Sequence, residues 1–185
     1  MRHLQRAVLA AAIGVTALAT VSVTRADASI SAYDAVRHAL IVVWEELPLT
    51  VRNATLVTGT PTAFSQYERR TERTFRPDEP VLVYAELYGY GVAQPADGGF
   101  LRELSADLAL LDPSGAVRAN QIGFWSASER FETRPLEMHL SFSATLGAFP
   151  PGDYTLRFTV HDRSSDKETS FDVPITLTEA ADTTG

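Results

Sequence analysis

The sequence contains no cysteine and, after residue 28, a single lysine, Lys167. Without cysteine the chain cannot form a disulfide scaffold, an iron–sulfur cluster, a cysteine–zinc site or a thiol nucleophile. A basic face is also lacking, because the 185 residues carry a net charge of −7 and the isoelectric point is about 5.1. General nucleic-acid binding needs such a face, so we expect no nucleic-acid partner.

Motifs for catalysis and cofactor binding are missing as well. The chain has no G-x-S-x-G elbow, no phosphate-binding or dinucleotide-binding glycine loop and no H-E-x-x-H sequence. The histidines after residue 28 lack the spacing of metal ligands; they are His38, His139 and His161. We therefore predict a protein that is not an enzyme and that has no cofactor and no metal site.

The first 28 residues have the layout of a secretory signal peptide. Arg2 and Arg6 precede an uncharged apolar run, Ala7–Val23, and Ala26-Asp27-Ala28 offers an A-x-A cleavage site. The alternative is a retained transmembrane helix, for which a run of 17 residues is barely long enough. We predict removal of residues 1–28, a periplasmic or secreted location, and no stable membrane span afterwards.

Residues 29–48 are predicted to contain one short helix. Ser31 and Asp34 have the spacing of a capping box, and Pro48 prevents the helix from continuing. Apolar residues recur at helical spacing between these signals, namely Tyr33, Val36, Leu40, Val43, Trp44 and Leu47. The alternative is a buried strand over 40–44, because Ile41, Val42 and Val43 are β-branched.

Residues 49–179 alternate between apolar and polar residues in short stretches, as β-strands do. Asp112-Pro113-Ser114-Gly115 has the sequence of a type I turn, and the polar residues 162–167 join the last two strands into a hairpin. Residues 180–185 are small and polar, so we predict a disordered tail. The candidate strands are 49–57, 67–75, 81–88, 104–110, 117–125, 138–146, 152–162 and 171–178.

Strands at this spacing, each with one apolar face, predict a mainly β protein with two packed antiparallel sheets. The specific prediction is an immunoglobulin-like β-sandwich of about seven to nine strands. Pro174 cannot donate a hydrogen bond to a neighbouring strand, so the last strand is expected at the edge of its sheet.

Three segments also resemble a known family. Phe75–Leu87 reads F-R-P-D-E-P-V-L-V-Y-A-E-L and is similar to the pattern F-x-P-G-E-x-V-x-x-Y-x-E-x, with Asp78 in place of the usual glycine. L-L-D-P-S-G at 110–115 and P-G-D-Y-T-L at 151–156 follow in the same order. Together they resemble an uncharacterised family of exported bacterial proteins. The resemblance implies one immunoglobulin-like or fibronectin-like sandwich, and it provides no established activity and no catalytic residue that could be carried over to this sequence.

Two charged features are candidates for a function. Glu86 lies on an otherwise apolar strand, and because a buried charge must be paired, we expect a salt bridge to an arginine. Arg69, Arg70, Arg73 and Arg76 lie within eight residues. They are interpreted either as charges that protect an edge strand from aggregation or as a docking surface for an acidic partner. In the docking interpretation, Arg69 and Arg73 share one strand face.

Aromatic residues near predicted loops complete the candidate binding residues, which are Arg69, Arg73, Tyr88, Tyr90 and Trp125. Such aromatics either stack on a ligand or cover the end of the core. The resulting prediction is a monomeric, exported, non-enzymatic module for protein–protein or protein–glycan interaction in the bacterial envelope. The alternatives are a periplasmic assembly or chaperone-like accessory protein, and an enzyme without a recognisable motif.

Overall fold

A computed structural model describes residues 29–179. The predicted signal peptide (1–28) and the predicted disordered tail (180–185) lie outside the described residues. Element α1 spans Ile30–Glu46 and precedes all the strands. The eight strands of the described part are β1 (Thr50–Leu56), β2 (Thr74–Phe75), β3 (Val81–Tyr88), β4 (Phe100–Leu111), β5 (Val117–Phe131), β6 (His139–Ala144), β7 (Gly152–Asp162) and β8 (Lys167–Leu177).

The helix prediction is confirmed, but the residue that caps the helix differs. Ser29 is the N-cap, and its hydroxyl oxygen accepts a hydrogen bond from the Ala32 amide at 3.2 Å. Ser31 therefore lies inside the first turn. Leu47 leaves the helical conformation one residue before Pro48, as expected from the clash between a proline ring and a preceding helical residue.

The strands form two sheets of unequal size. The smaller sheet has the antiparallel order β1-β3-β6, and the larger has the order β2-β8-β7-β4-β5. Within the larger sheet only the short β2–β8 pair is parallel. The mainly β prediction with two sheets is thus confirmed. The larger sheet curls into a half-barrel, so the immunoglobulin-like arrangement is not established.

The core lies between the two sheets. The inward side chains of β3 alternate along the strand, and Val81, Val83, Ala85 and Leu87 are all almost completely buried. They pack against inward side chains of the larger sheet. The contact between the sheets includes Phe158 of β7, which stacks on Phe142 of β6 with ring centroids 4.6 Å apart. The period of two in the sequence therefore corresponds to one face of each strand in this core.

Two expectations about strands were wrong. Only Thr74–Phe75 of the candidate strand 67–75 is a strand, so Arg69 and Arg73 do not share a strand face. Most of the segment instead crosses the outer face of the smaller sheet, where Tyr67 stacks on Tyr84 at 4.0 Å. The second error concerns β8, which is not strictly an edge strand because β2 pairs with Thr176 and Leu177.

The long edge strand β5 contains a bulge at its centre. Leu108 of β4 pairs with Gln121, and Ala106 pairs with Trp125, which leaves Ile122, Gly123 and the next residue opposite a single residue of β4. Gly123 has φ = 64°, a conformation that costs little only for glycine. The bulge bends β5 and exposes 76% of Ile122 to solvent.

Candidate functional site

The five residues predicted to bind a partner do not form one site. Arg69 and Arg73 are exposed on the segment between β1 and β2, whereas Trp125 is half-buried on β5. Tyr88 and Tyr90 lie near the C-terminal end of α1 and contact Trp44, with ring centroids 5.7 and 5.2 Å from its indole. The structure thus places the candidates in three separate regions.

Tyr90 helps to hold α1 on the sheets. The indole nitrogen of Trp44 donates a hydrogen bond to the Tyr90 carbonyl at 2.9 Å, and Tyr90 is only 1% exposed. Lys167 Nζ donates to the carbonyl oxygens of Glu45, Leu47 and Gly89 at 2.8–3.0 Å. The only lysine after residue 28 therefore satisfies carbonyl groups at the end of the helix, where a positive charge is favourable.

The arginine run contains one residue with a clear structural role, and it is Arg70. Its guanidinium lies 4.1 Å from the centre of the Phe75 ring and 2.5 Å from Glu79 Oε1. The same group donates to the Thr74 carbonyl at 2.7 Å. Arg70 was not among the predicted binding residues, and these contacts attach the loop to β2.

Glu86 is not paired with an arginine, contrary to prediction. Its carboxylate accepts four hydrogen bonds from neutral groups: Asn53 Nδ2 at 2.8 Å, Ser65 Oγ at 3.0 Å, Tyr84 OH at 3.0 Å and Tyr88 OH at 3.1 Å. Glu86 is only 2% exposed. A carboxylate with four donors can remain charged without a cation, because hydrogen bonds stabilise the ionised form. Glu86 and these four donors are called the Glu86 cluster below.

The environment of the Glu86 cluster keeps the carboxylate ionised. Burial acts to raise the pKa of Glu86, but the hydrogen bonds from Asn53, Ser65, Tyr84 and Tyr88 outweigh it and lower the pKa below its usual value. Burial raises the pKa of Tyr84 to about 12, and the hydrogen bond to Glu86 adds to this effect. Neither group exchanges a proton readily near neutral pH, so the cluster is unsuited to acid–base catalysis.

A second carboxylate cluster lies on the outer face of the larger sheet. His161 Nε2 is 2.9 Å from Asp107 Oδ2, and His161 Nδ1 is 3.4 Å from Glu168 Oε2. The Gly123 amide donates to Asp107 Oδ1 at 2.7 Å, and this bond is the main reason why the pKa of Asp107 is lowered. These residues border an open polar cleft of about 470 Å³. They are called the Asp107 cluster below.

Both ring nitrogens of His161 face carboxylates, and neither faces a nucleophile. Among residues 29–179, no group of three or more metal-binding side chains has a geometry that could hold a metal ion. The same outer face carries further polar pairs across the strands, including Arg157 with Asp172 at 2.7 Å. The Asp107 cluster therefore continues a row of cross-strand pairs on a solvated sheet surface.

A different kind of cleft opens between the two sheets, at the edges of β5 and β6. It has a volume of about 320 Å³, and its floor is formed by Leu108, Leu110 and Leu156 of the larger sheet. Phe124 and Phe149 are half-buried and form part of its walls. The polar groups in its lining are all neutral and belong to Asn120, Gln121, Ser143 and Thr145. This space is called the apolar cleft below.

The apolar cleft exists because the sheets differ in width. Three strands cannot cover five, so the inner face of β4 and β5 is left partly open beyond β6. A second cleft, of about 250 Å³, lies further along the opening between β5 and β6. It is smaller and more polar, and its lining includes Trp125 and Arg102. Phe124 and Trp125 both contact Phe142, with centroid distances of 6.1 and 5.5 Å. Trp125 is thus the one predicted binding residue in this gap.

Sequence reasoning did not find the apolar cleft. Leu108, Leu110 and Leu156 were assigned to apolar strand faces, where core and cleft residues follow the same pattern. Only the packing of the two sheets shows which inward side chains lack a neighbour. No sequence signal that we considered distinguishes Leu108, which is 8% exposed, from Leu156, which is completely buried.

The comparisons with known proteins supply no family. No protein-family model and no curated protein matches the sequence. Among solved structures, the chain is similar to Pseudomonas fluorescens alkylpurine DNA glycosylase AlkC bound to DNA containing an abasic site analog. The likeness covers 81% of this chain and 38% of that one, with 11% identity and a TM-score of 0.40.

This neighbour corrects two predictions. An enzyme bound to DNA contradicts the expected non-enzymatic module for protein or glycan partners, and it contradicts the exclusion of nucleic acid. Neither prediction is retained. At a TM-score of 0.40, the likeness provides no argument for a particular activity of this chain. No helix within the described residues is long and apolar enough to cross a membrane.

Proposed function

We propose that the protein binds a small, uncharged, apolar molecule in the apolar cleft between β5 and β6. The observation that carries the proposal is the lining of this cleft, where leucine and phenylalanine side chains surround an open space of about 320 Å³ and none of the lining residues is charged. Ligand sites are typically concave and mostly apolar, with a few polar groups that orient the ligand. The other main cleft, at the Asp107 cluster, is lined by seven charged or titratable side chains.

The chemistry of the lining determines the class of ligand. A charged group placed against Leu108 and Leu110 would lose its hydration without gaining a partner, which costs several kcal/mol. An apolar ligand instead gains about 25 cal/mol for each Å² removed from water. Gln121 pairs with Leu108 and shares its face of the sheet, so the Gln121 amide is placed to bind one polar end of such a ligand.

The test is a titration with the uncharged fluorescent probe N-phenyl-1-naphthylamine. Ala119 is half-buried, lines the cleft and pairs with Leu110, so Ala119→Phe fills the space without removing a contact. The matched control is Ala109→Phe, which adds the same ring on the outer face of the same sheet. We expect saturable binding by the original chain and by the control, and at least tenfold weaker binding by Ala119→Phe.

Competition refines the ligand class in the same assay. Dodecanol should displace the probe at lower concentration than dodecanoate, because the carboxylate must keep its hydration. Equal probe affinity in the Ala119→Phe and Ala109→Phe chains would contradict the proposal, provided that both melt like the original chain. Absence of saturable probe binding by the original chain would contradict it as well.

We further propose that the protein acts outside the cytoplasm, in the periplasm or as a secreted protein. The sequence of residues 1–28 supports this, because an apolar run lies between two arginines and an A-x-A site. We expect cleavage after Ala28, so that the protein recovered from cells begins at Ser29. Intact mass measurement decides the matter, since a species that still begins at Met1 would contradict the proposed location.

A further inference from the structure

One edge of β6 carries backbone hydrogen-bonding groups with no strand beside them. β6 pairs with β3 without a shift in register, and within residues 29–179 no strand lies on its other side. The Leu87 amide of β3 donates to the Met138 carbonyl at 3.0 Å. Because hydrogen-bonded pairs alternate along an antiparallel ladder, every second residue of β6 directs its amide and carbonyl away from β3. These residues are His139, Ser141 and Ser143.

This free edge of β6 borders the clefts between the two sheets. Ser143 lines the apolar cleft, and Ser141 lines the second, more polar cleft. The neighbours Phe142 and Ala144 point their side chains into the core, so the exposed side chain of Ser143 lies on the opposite face of the sheet. Ser143 therefore borders the apolar cleft with its backbone, and its amide and carbonyl point over the open part of the larger sheet.

The apolar cleft thus combines an apolar floor with one polar side of fixed geometry. In a strand, the amide and the carbonyl of one residue point in the same direction, so a partner must offer an acceptor and a donor at the matching spacing. A pure hydrocarbon against Ser143 would remove water from both groups and replace neither hydrogen bond, which is unfavourable. An extended amino-acid residue with an amide on each side has the required acceptor and donor.

We propose that the ligand of the apolar cleft is a small, uncharged molecule in which two secondary amides flank one apolar residue, and that these amides pair with the backbone of Ser143. Extended ligands that add to a sheet edge gain affinity from main-chain hydrogen bonds and specificity from pockets for their side chains. Here the apolar groups of the ligand lie on Leu108 and Leu110. The inference rests on the proposed function and adds the chemical class of the ligand.

Two matched compounds test the class of ligand. N-octanoyl-leucine N′-methylamide has both amides, and its analogue carries an ester oxygen in place of the leucine N–H. The ester costs less to remove from water, so a cleft without edge pairing should prefer the ester. Pairing with the Ser143 carbonyl needs the N–H and reverses this order. We expect the diamide to displace N-phenyl-1-naphthylamine at a concentration about fivefold lower, or less.

Two substitutions of one residue test the position of the pairing. Ser143→Pro removes the amide N–H on the free edge and no hydrogen bond to β3, and proline is tolerated on edge strands in this orientation. Ser143→Ala removes only the hydroxyl on the outer face and is the matched control. We expect the preference for the diamide to disappear in Ser143→Pro and to persist in Ser143→Ala. Thermal melts show whether both variants fold.

The displacement assay uses protein expressed from the full sequence, and the compound pair is measured first on the original chain. Probe binding with equal or stronger displacement by the ester overturns the proposed ligand class and leaves the apolar cleft as a ligand site. Absence of saturable probe binding overturns the proposed function and this inference together. Equal preference for the diamide in folded Ser143→Pro and Ser143→Ala chains overturns the pairing at Ser143. If the proline variant does not fold, the compound pair on the original chain decides.

Discussion

The Glu86 cluster and the Asp107 cluster both lie on the outer face of a sheet, yet they are built differently. The segment between β1 and β2 covers Glu86 and supplies Ser65 as a donor, so that Glu86 is 2% exposed with four neutral partners. Within residues 29–179 no segment covers Asp107 in this way, and its side chain is 24% exposed beside a histidine side chain that is 35% exposed. Covering a carboxylate removes water and makes its hydrogen bonds essential, whereas an open carboxylate can exchange partners with solvent.

The largest expected effect is on stability. The same kind of substitution, a carboxylate to its amide, is made in both clusters so that their contributions can be compared. Glu86→Gln removes the charge and replaces one acceptor oxygen by an NH2 donor. Depending on which oxygen is replaced, the new donor faces either Asn53 and Tyr88 or Ser65 and Tyr84. Because hydrogen bonds to a charged acceptor are about twice as strong as those to a neutral one, we expect a loss of about 2–3 kcal/mol in the free energy of unfolding. Urea denaturation measures this loss.

Asp107→Asn is the control for that experiment. The amide keeps an oxygen for the Gly123 amide and loses only a half-exposed contact with His161, so we expect a loss of about 0–1 kcal/mol. Equal losses in the two variants would show that the covering segment does not increase the contribution of Glu86 to the free energy of unfolding relative to that of Asp107.

A smaller effect is expected on the pH dependence of stability. The pKa of Glu86 is lower in the folded chain than in the unfolded chain, where it is about 4.3. The unfolded state therefore binds a proton first as the pH falls. The stabilisation by Glu86 is fully present above that value and is lost as the pH falls through the folded pKa.

Urea titrations of the original and Glu86→Gln chains between about pH 6 and pH 3 measure this effect. We expect the difference in unfolding free energy between the two chains to shrink as the pH is lowered. A difference that stays constant over this range would show that the contribution of Glu86 does not depend on its charge.

Local signals in the sequence were sufficient for the elements themselves. Pro48 and the apolar spacing before it predicted α1, and the polar residues 162–167 predicted the β7–β8 hairpin, in which Asp162 pairs with Lys167. The D-P-S-G turn also forms, with the Gly115 amide 2.9 Å from the Asp112 carbonyl. These features depend on backbone preferences of a few consecutive residues, which the sequence contains directly.

Partners that are distant in sequence could not be predicted in this way. Glu86 was expected to meet an arginine, but its donors Asn53 and Ser65 are 33 and 21 residues away in sequence. Both donors have positive φ, 53° and 58°, and no sequence rule places such backbone there. The arginine run was read as a strand, although most of it is the segment that covers β3.

The sequence by itself determined that this protein is mainly β with one helix at the start of the described chain, because alternation, capping and turn residues act locally. Only the tertiary structure decided which apolar residues are enclosed. Leu156 is buried, Leu108 lines the apolar cleft and Leu40 of α1 is exposed, although each belongs to an apolar face of its element. The reason is physical: an apolar face needs a covering surface, and the presence of that surface depends on the widths and positions of the other elements.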